Sequence, residues 1–256
     1  MNGRTAAVAF AVAERHLRKL VSSPALFIPP LVFPLFFFTA FAGGLSAVGN
    51  VPHFGYSDYT GFQYVFVLVQ TAAFGGVFTG FSMAADWSSG FARRMMLAAP
   101  HRFGIALGYV GAALVRTVVI VAFVTVVALI AGMQVGGNGI DLVGLYALAA
   151  IVNVVATLFA SGIALRFRTM SATPLMQIPV FLVLFMAPVY TPRHLLGGWV
   201  HSVANWNPAT ALLEAGRGLL AGQPVSVALA YGCAIGLAGL LGLFSLRGMR
   251  AAERAG

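Results

Sequence analysis

The chain alternates long uncharged runs with short charged segments, and one junction between them decides its fold. Residues 62–84 read FQYVFVLVQTAAFGGVFTGFSMA without a charged side chain, and residues 86–102 follow as DWSSGFARRMMLAAPHR. The first run is long enough to cross a bilayer as a helix, which takes about 20 apolar residues. The second segment holds three of the fifteen Lys and Arg residues of the chain. We therefore expect a membrane helix that ends in a water-exposed segment.

Composition extends this pattern to the whole chain. Hydrophobic residues make up 60% of the 256 and charged residues only 8%, whereas a soluble domain carries about 25% charged residues. The runs with the length and composition of a membrane span are 26–47, 62–84, 105–132, 142–165, 174–190 and 226–246. The fifth is short and contains three prolines. The sequence predicts one all-α integral membrane domain over residues 1–256, with six transmembrane helices.

The basic residues indicate the orientation of the spans. They lie before the first run, in alternate loops and after the last run: Arg4, Arg15, Arg18, Lys19, Arg93, Arg94, Arg102, Arg166, Arg168, Arg247, Arg250 and Arg254. The opposite loops 48–61 and 133–141 have no Lys or Arg, and loop 191–225 has two. Cytoplasmic loops carry the excess of basic residues, so both termini are predicted to be cytoplasmic. The net charge of +9 is then a topology signal and predicts no nucleic-acid partner.

Residues 1–24 precede the first run and mix apolar with basic side chains. This pattern predicts a helix that lies along the cytoplasmic membrane interface, near anionic head groups; a frayed tail is the alternative. The first predicted span, 26–47, is longer than the apolar region of a cleaved signal peptide, so we expect it to be retained. Its prolines predict a bent helix that packs against protein.

Polar residues inside the spans recur at helical spacing. Gln63 and Gln70 share one face of the second span, and Asn153, Thr157 and Ser161 share one face of the fourth. These faces are candidates to line a translocation path, and helix–helix contact through polar residues is the alternative. Intramembrane charge is costly and often functional. For Arg116 in the third span, function and snorkelling toward the head groups both remain open.

Several kinds of chemistry are missing from the sequence. The only lysine, Lys19, is followed by Leu20, so the phosphate-binding G-x-x-x-x-G-K-[ST] loop is absent. The five histidines are scattered without metal-ligand spacing, and six acidic residues leave little for acid–base catalysis. We expect no cofactor or metal in this chain and no enzymatic activity of its own.

The segment 86–102 is predicted to form a short surface helix. Asp86 ends the second span, Gly90 turns the chain, and a helix from Phe91 to Ala99 would stop at Pro100. A short helix with apolar and basic faces suits docking into a groove on a soluble partner. A plain positively charged loop is the alternative.

The segment 191–225 on the other side is too apolar for free solution. Its tryptophans suit the membrane interface, so we expect it to re-enter the membrane or to lie on its outer surface. Asn207-Pro208 can begin a helix, on which Glu214 and Arg217 are three residues apart and close enough to pair.

Together the two segments resemble the ABC-2 type transporter family, the membrane subunits of bacterial ATP-driven exporters. The family pattern between spans two and three is an acidic residue, a glycine and L-x-x-P, matched by Asp86, Gly90, Leu97 and Pro100 and followed by Arg102. The pattern after span five, P…L-P-G-W…N-P-x-T…E…R, is matched by Pro192, Leu196, Gly198, Trp199, Asn207, Pro208, Thr210, Glu214 and Arg217. Gly197 replaces the expected proline, and Arg93-Arg94 replaces a Leu-acidic pair. The resemblance covers essentially the whole chain.

The resemblance implies a permease in the bacterial cell membrane that forms a homodimer or heterodimer and associates with two ATP-binding subunits. Those subunits would bind ATP and Mg. The implied coupling residues are Asp86, Gly90, Phe91, Arg93, Arg94, Leu97, Pro100 and Arg102. The implied outer gate consists of Trp199, Asn207, Pro208, Thr210, Glu214 and Arg217. The daunorubicin-resistance type of permease is the nearest likeness, which implies outward movement of an amphipathic drug or lipid-like substrate by alternating access.

Two other classes of membrane protein remain as alternatives. An ion-coupled secondary carrier would place acidic residues inside its spans, and an integral-membrane enzyme would cluster polar catalytic groups near one interface. The sequence shows neither pattern.

Overall fold

A computed structural model describes residues 3–22, 24–56, 58–98 and 102–254 of the chain. Within these ranges the chain is helical and has no β-strand. The α-helices are α1 (Gly3–Ser22), α2 (Pro24–Phe38), α3 (Tyr59–Ser88), α4 (Phe91–Ala98), α5 (Arg102–Ile130), α6 (Gly139–Phe167), α7 (Thr173–Phe185), α8 (Gly198–Trp206), α9 (Pro208–Ala221) and α10 (Val227–Arg254). The all-α prediction is confirmed. Pro100 lies outside the described residues, as does the side chain of Arg102.

The second predicted span, α3, is the central helix of the bundle. In its most apolar 18-residue window 83% of the residues are buried, against 11% for α10. The Asn153 amide of α6 donates to the Ala72 carbonyl of α3 at 2.9 Å, and the Tyr64 and Tyr146 hydroxyls lie 3.0 Å apart. Residue numbers therefore rise together along α3 and α6, so these two helices run parallel.

Close packing of α3 on α6 depends on glycines of α3. A Cβ at Gly76 would lie 2.7 Å from the Ala156 Cβ, and one at Gly80 would lie 3.1 Å from the Ala160 carbonyl carbon. Such distances are below normal carbon–carbon contact, so only a residue without a side chain fits. Small residues four positions apart let two helices approach closely where no hydrophobic effect drives them together.

Among the residues that the structure describes, four helices are long and apolar enough to cross a membrane, at Tyr59–Ser88, Phe103–Ile130, Gly139–Phe167 and Val227–Arg250. They coincide with the second, third, fourth and sixth predicted spans. The first and fifth correspond to shorter apolar helices, Ile28–Gly43 and Met170–Phe185. Helix α2 continues into a π-helical turn at Thr39–Gly43. At ~1.5 Å per residue this run from Pro24 is about 30 Å long, close to the thickness of the hydrocarbon core.

The fifth predicted span, 174–190, ends earlier than expected. Helix α7 stops at Phe185, and the chain from Met186 to Val189 is not helical. Pro188 explains the stop, because proline has no N–H to continue the helical hydrogen bonds. The Pro188 and Val189 carbonyls of this segment make no helical hydrogen bond and accept hydrogen bonds from side chains instead.

Helix α1 packs lengthwise on the first turns of α5, which the prediction of an interfacial helix did not include. Its buried side chains are Thr5, Val12, His16 and Leu20. A Cβ at Gly104 or Gly108 of α5 would lie 2.8 Å or 2.7 Å from carbonyl oxygens of α1. One face of α1 therefore packs against the bundle. On the rest of the helix, Phe10 and Val21 are 71% and 85% exposed.

Candidate functional site

The two predicted functional segments lie at opposite ends of the bundle. One end, here called the basic end, holds α1, α4 and the C-terminal parts of α3, α6 and α10. The Arg168 guanidinium after α6 lies 5.3 Å from the Trp87 ring of α3, and Gly248 of α10 approaches the Gly162 carbonyl oxygen of α6. Exposed arginines of α4 and α10 lie at this end. The opposite end holds the N-terminus of α3, α8, α9 and the connections between helices.

Helix α4 presents a mixed basic and apolar surface at the basic end. Gly90 turns the chain with a φ of +74°, which favours glycine, and α4 begins at the next residue. Arg93, Arg94 and Leu97 are exposed, Leu97 to 78%. Met95 and Met96 pack against the bundle from the other side of the helix. The structure thus has a short helix, Phe91–Ala98, where the sequence predicts one over 91–99.

Asp86 is buried rather than presented on the surface. It is 2% exposed and receives two hydrogen bonds from the Arg15 guanidinium, each of 3.0 Å. The Tyr109 hydroxyl donates a third at 2.7 Å, and the Lys19 Nζ lies 3.9 Å from Oδ1. Bidentate arginine–carboxylate pairs are among the stronger protein hydrogen bonds. Asp86 thus joins α1 and α5 to the end of α3.

Arg15 also contacts α4. Its Cζ lies 3.6 Å from the centre of the Phe91 ring, a distance typical of a cation–π contact. The hydrogen bonds to Asp86 raise the pKa of Arg15 above its ordinary value. We call Arg15, Asp86, Phe91 and Tyr109 the Asp86 cluster. The cluster connects α1, α3, α4 and α5.

The predicted gate residues at the opposite end have several structural roles. The Asn207 side chain accepts a hydrogen bond from the Ala209 N–H and caps α9, while its amide donates to the Val183 carbonyl at 2.6 Å. Pro208 occupies the first turn of α9, and the Thr210 hydroxyl donates to the Ala204 carbonyl at 2.7 Å. Trp199 on α8 is 68% exposed. These contacts fix α8, α9 and the end of α7 relative to one another.

Arg217 of α9 is buried among carbonyl groups. It is 2% exposed and donates to the carbonyls of Pro188, Val189 and Phe62 at 2.9, 3.4 and 3.3 Å. Its Cζ lies 3.3 Å from the centre of the Phe62 ring. Two of the carbonyls belong to the non-helical segment after α7, so the early end of the fifth span supplies the acceptors for this arginine.

The predicted Glu214–Arg217 pair is wrong. The Glu214 carboxylate pairs with the Arg193 Nε at 3.0 Å instead. Although Glu214 and Arg217 are three residues apart on α9, the freed carbonyls hold the Arg217 guanidinium beneath the Phe62 ring. Arg193 arrives from the connection after α7, which the helical spacing of α9 does not reveal.

A cavity of about 690 Å³ opens next to Arg217. Its polar and aromatic wall includes Tyr56, Asp58, Phe62, Arg193, Glu214 and Arg217. We call it the Arg217 cavity. The Asp58 carboxylate caps α3 by accepting hydrogen bonds from Thr60 and Gly61, and it accepts a third from the Gln134 N–H at 2.8 Å.

Gln63 and Gln70 of the second predicted span are fully buried. Some polar atoms of their side-chain amides have no hydrogen-bond partner among the described residues. The Gln63 amide nitrogen donates to the Tyr59 hydroxyl and the Val189 carbonyl at 2.8 and 3.2 Å, and its oxygen has no partner among the described residues. Neither polar atom of the Gln70 side chain has a partner there. Gln70 borders a small cleft beside Pro30 and Phe33 of α2. Gln63 thus belongs to the Arg217 region, and Gln70 faces the first span.

The polar residues of the fourth span lie at contacts between helices. The Asn153 amide donates to the Ala72 carbonyl and the Thr117 hydroxyl at 2.9 and 2.8 Å, and the Thr157 hydroxyl donates to the Asn153 carbonyl at 2.7 Å. Ser161 borders a narrow cleft toward α5 and α10. The structure does not bring Asn153 and Thr157 to an open passage within a single chain.

Arg116 is fixed inside the bundle. It is 4% exposed, and its guanidinium donates to the Gly75 carbonyl and to the Thr79 hydroxyl, the latter at 2.9 Å. Arg116 therefore hydrogen-bonds to α3 inside the bundle, and its side chain does not extend to the head groups as the snorkelling interpretation would require. Within the described ranges no three His, Cys, Asp or Glu side chains are arranged to hold a metal ion.

Sequence reasoning missed the partners of the predicted residues. Arg15, Tyr109 and Arg193 were not site candidates, yet each bonds one. The sequence did contain a signal for a partner of Asp86. Asp86 is the one acidic residue between the second and third predicted spans, and a carboxylate that becomes buried needs a cation such as Arg15 beside it.

The chain was compared with models of known protein families. The model of the ABC-2 type transporter family matches residues 8–221, which include the Asp86 cluster, α4 and the segment around Arg217. The comparison with curated proteins finds no match. The match covers most of the chain, and the chain belongs to the ABC-2 type transporter family as a membrane-embedded permease component of an ABC transporter.

Proposed function

We propose that this permease moves an amphipathic, drug-like or lipid-like substrate outward across the bacterial cell membrane, and that α4 is its coupling helix. In this proposal the basic end faces the cytoplasm, the chain forms a dimer, and two ATP-binding subunits supply ATP and Mg. The observation that carries the proposal is the exposed surface of α4, with Arg93, Arg94 and Leu97, on a helix joined to the bundle through the Asp86 cluster.

The geometry suits the transfer of a push from a soluble partner. Helix α4 projects basic and apolar side chains that fit a groove on another protein. Behind it, the Arg15–Phe91 contact and the Arg15–Asp86 pair lead to α1, α3 and α5. A rigid-body displacement of α4 would tilt these helices together, as alternating access requires. Dimerisation, the outer gate and the direction of transport rest on the family resemblance.

Charge reversal on α4 tests the proposal. Arg93→Glu with Arg94→Glu is expected to reduce co-purification with the ATP-binding subunit and ATP-dependent transport at least tenfold, because both side chains are exposed on the proposed contact surface. Membrane insertion and melting temperature should not change, since neither side chain is buried. Co-expression with the ATP-binding subunit, followed by pull-down and transport in vesicles, measures these effects.

A matched control separates contact from net charge. Arg247 and Arg250 are exposed near the end of α10 at the same end of the bundle, so Arg247→Glu with Arg250→Glu makes the same charge change outside α4. Normal transport by the α4 variant would exclude α4 as the coupling helix. Transport driven by an ion gradient without any ATP-binding subunit would favour a secondary carrier instead.

A further inference from the structure

Arg217 is a buried cation that has no acidic partner. No carboxylate among the described residues lies within ion-pair distance of its guanidinium; its hydrogen bonds go to three neutral carbonyl groups. These bonds use three of its five N–H donors. Buried charges are normally paired, because an unpaired one loses its hydration without compensation. Burial lowers the pKa of Arg217 to about 9, so the group is still charged at pH 7.

The carboxylates that line the Arg217 cavity already have other partners. Glu214 pairs with Arg193, and Asp58 accepts hydrogen bonds from Thr60, Gly61 and Gln134. The N-terminus of α3 adds a favourable partial positive charge next to Asp58. Of the two arginines at the cavity, Arg193 has an acidic partner and Arg217 has only neutral ones.

The cavity has the size and the walls of a ligand site. At about 690 Å³ it falls within the ~300–1,000 Å³ range of small-molecule pockets. Its apolar wall includes Phe54, Tyr56, Phe62, Val135, Leu220 and Val225. Part of this wall is firmly held, because the N–H groups of Gly136 and Gly137 both donate to the Leu220 carbonyl, at 3.0 and 2.9 Å.

We propose that the Arg217 cavity binds the oxyanion head of an amphipathic molecule, with Arg217 as its counter-ion and the aromatic wall against its apolar body. A cationic ligand fits less well, because the Phe62 face that would receive it is already covered by Arg217. The site goes beyond the proposed transport function, since binding requires neither ATP nor a partner subunit. The oxyanion could come from a membrane lipid or from a soluble anion.

Binding is tested on the purified full chain in a neutral maltoside detergent. Melting temperature is measured with increasing dihexanoyl phosphatidic acid, dihexanoyl phosphatidylcholine or inorganic phosphate. Phosphatidic acid is expected to raise the melting temperature saturably, by roughly 5 °C or more at saturation, while phosphatidylcholine does not. An equal shift with phosphate would support the oxyanion site and identify a soluble anion as sufficient. Equal shifts with both lipids, or no shift with any probe, would overturn the proposal.

Paired variants locate the binding. Val225 lines the cavity and is 58% exposed, so Val225→Glu places a carboxylate inside the cavity while Val225→Gln adds a neutral group of the same shape. Val225→Glu should raise the melting temperature without ligand and abolish the phosphatidic acid shift; Val225→Gln should keep the shift. Arg217→Gln should also abolish it, and if that variant does not fold, the Val225 pair decides alone. An undiminished shift in Val225→Glu would place the lipid elsewhere and overturn the proposal.

Discussion

At the residue scale, Asp86 is a residue of the family pattern that lies inside the protein. A carboxylate that is 2% exposed cannot offer its charge to a partner subunit. It instead holds Arg15, which in turn covers Phe91 at the start of α4. In the proposed function, the acidic position of the family pattern supports the contact surface of α4, and Arg93 and Arg94 form that surface.

Replacement of the Asp86 carboxylate is expected to destabilise the basic end. Asp86→Asn leaves Arg15 and Lys19 without their shared anion, and breaking a buried ion pair costs about 3–5 kcal/mol. Because the Arg15 side chain is 34% exposed, solvent reduces this cost, and we expect roughly 2 kcal/mol. Thermal unfolding in detergent should show a melting temperature lower by roughly 5 °C.

One further variant inside the Asp86 cluster and one outside it complete the test. Tyr109→Phe removes one hydrogen bond but keeps the ion pair, so about 1 kcal/mol is expected. Arg94→Gln removes an exposed cation and should leave the melting temperature unchanged. If Asp86→Asn were as stable as the native protein, the pair would not secure α1 to α3.

His16 gives the basic end a defined pH dependence. It is 3% exposed, its ring packs 4.9 Å from the Tyr109 ring, and burial lowers its pKa to about 4. The unfolded chain takes up this proton near pH 6.5 and the folded chain only near pH 4. The stability linked to His16 is therefore complete above pH 6.5 and is lost as the pH falls toward 4.

A variant without the imidazole isolates this effect. The difference in melting temperature between pH 7 and pH 4.5 should be smaller for His16→Leu than for the native protein, because the uptake of one proton on unfolding is removed. Melting curves at matched ionic strength across this range provide the measurement. The same acid sensitivity in both proteins would show that other groups account for it.

At the element scale, α1 depends on glycines of α5. A Cβ at Gly108 would lie 2.6 Å from the Val12 Cβ, whereas one at Gly111 would meet nothing within 4 Å. Helix α1 therefore lies directly on the α5 backbone at Gly108, as it does at Gly104, and leaves Gly111 free of contact. The spacing of four between Gly104 and Gly108 is the sequence sign of this contact.

Substitutions at Gly108 and Gly111 should have opposite effects on stability. Gly108→Leu is expected to destabilise the protein by about 1–3 kcal/mol through overpacking and to expose α1 to trypsin at Arg18. Gly111→Leu should be neutral or slightly stabilising, because leucine favours the helix by up to about 1 kcal/mol over glycine. Limited proteolysis and melting temperature distinguish the two. Equal behaviour of both variants would contradict the packing of α1 on α5.

Helix limits were predictable from the sequence only where composition changes sharply. The span 62–84 lies inside α3 and the span 142–165 inside α6, because charged or turn-forming residues bound each run. The span 174–190 was too long, since Pro188 lies in an apolar run that continues past the end of α7. Apolar composition alone does not distinguish a helix from non-helical backbone that is covered by other helices.

At the scale of the whole molecule, the charge pattern and the fold agree on two distinct ends. Labelling of single cysteines tests which end faces the cytoplasm. In a background with Cys233→Ala, Gln223→Cys at the opposite end should react with a membrane-impermeant maleimide on intact cells. Leu97→Cys on α4 should react only after permeabilisation, because the basic end is predicted to be cytoplasmic.

Both positions are exposed, so a difference in labelling reports their side of the membrane and not their burial. Denatured samples confirm that each cysteine is reactive. Labelling of Leu97→Cys on intact cells, with Gln223→Cys protected, would invert the predicted orientation and with it the proposed role of α4.

The sequence by itself determined the helical class, the positions of most long apolar helices, the division of charge between two ends and the family. These features depend on local composition and spacing, which a linear reading preserves. Only the tertiary structure decided which charges meet. Asp86 and Arg15 are 71 positions apart, and Arg217 reaches Phe62 across 155, so their contacts follow from how the helices pack. For the same reason Glu214 pairs with Arg193 rather than with its neighbour on α9: the carbonyls freed where α7 ends hold Arg217, and helical spacing carries no information about them.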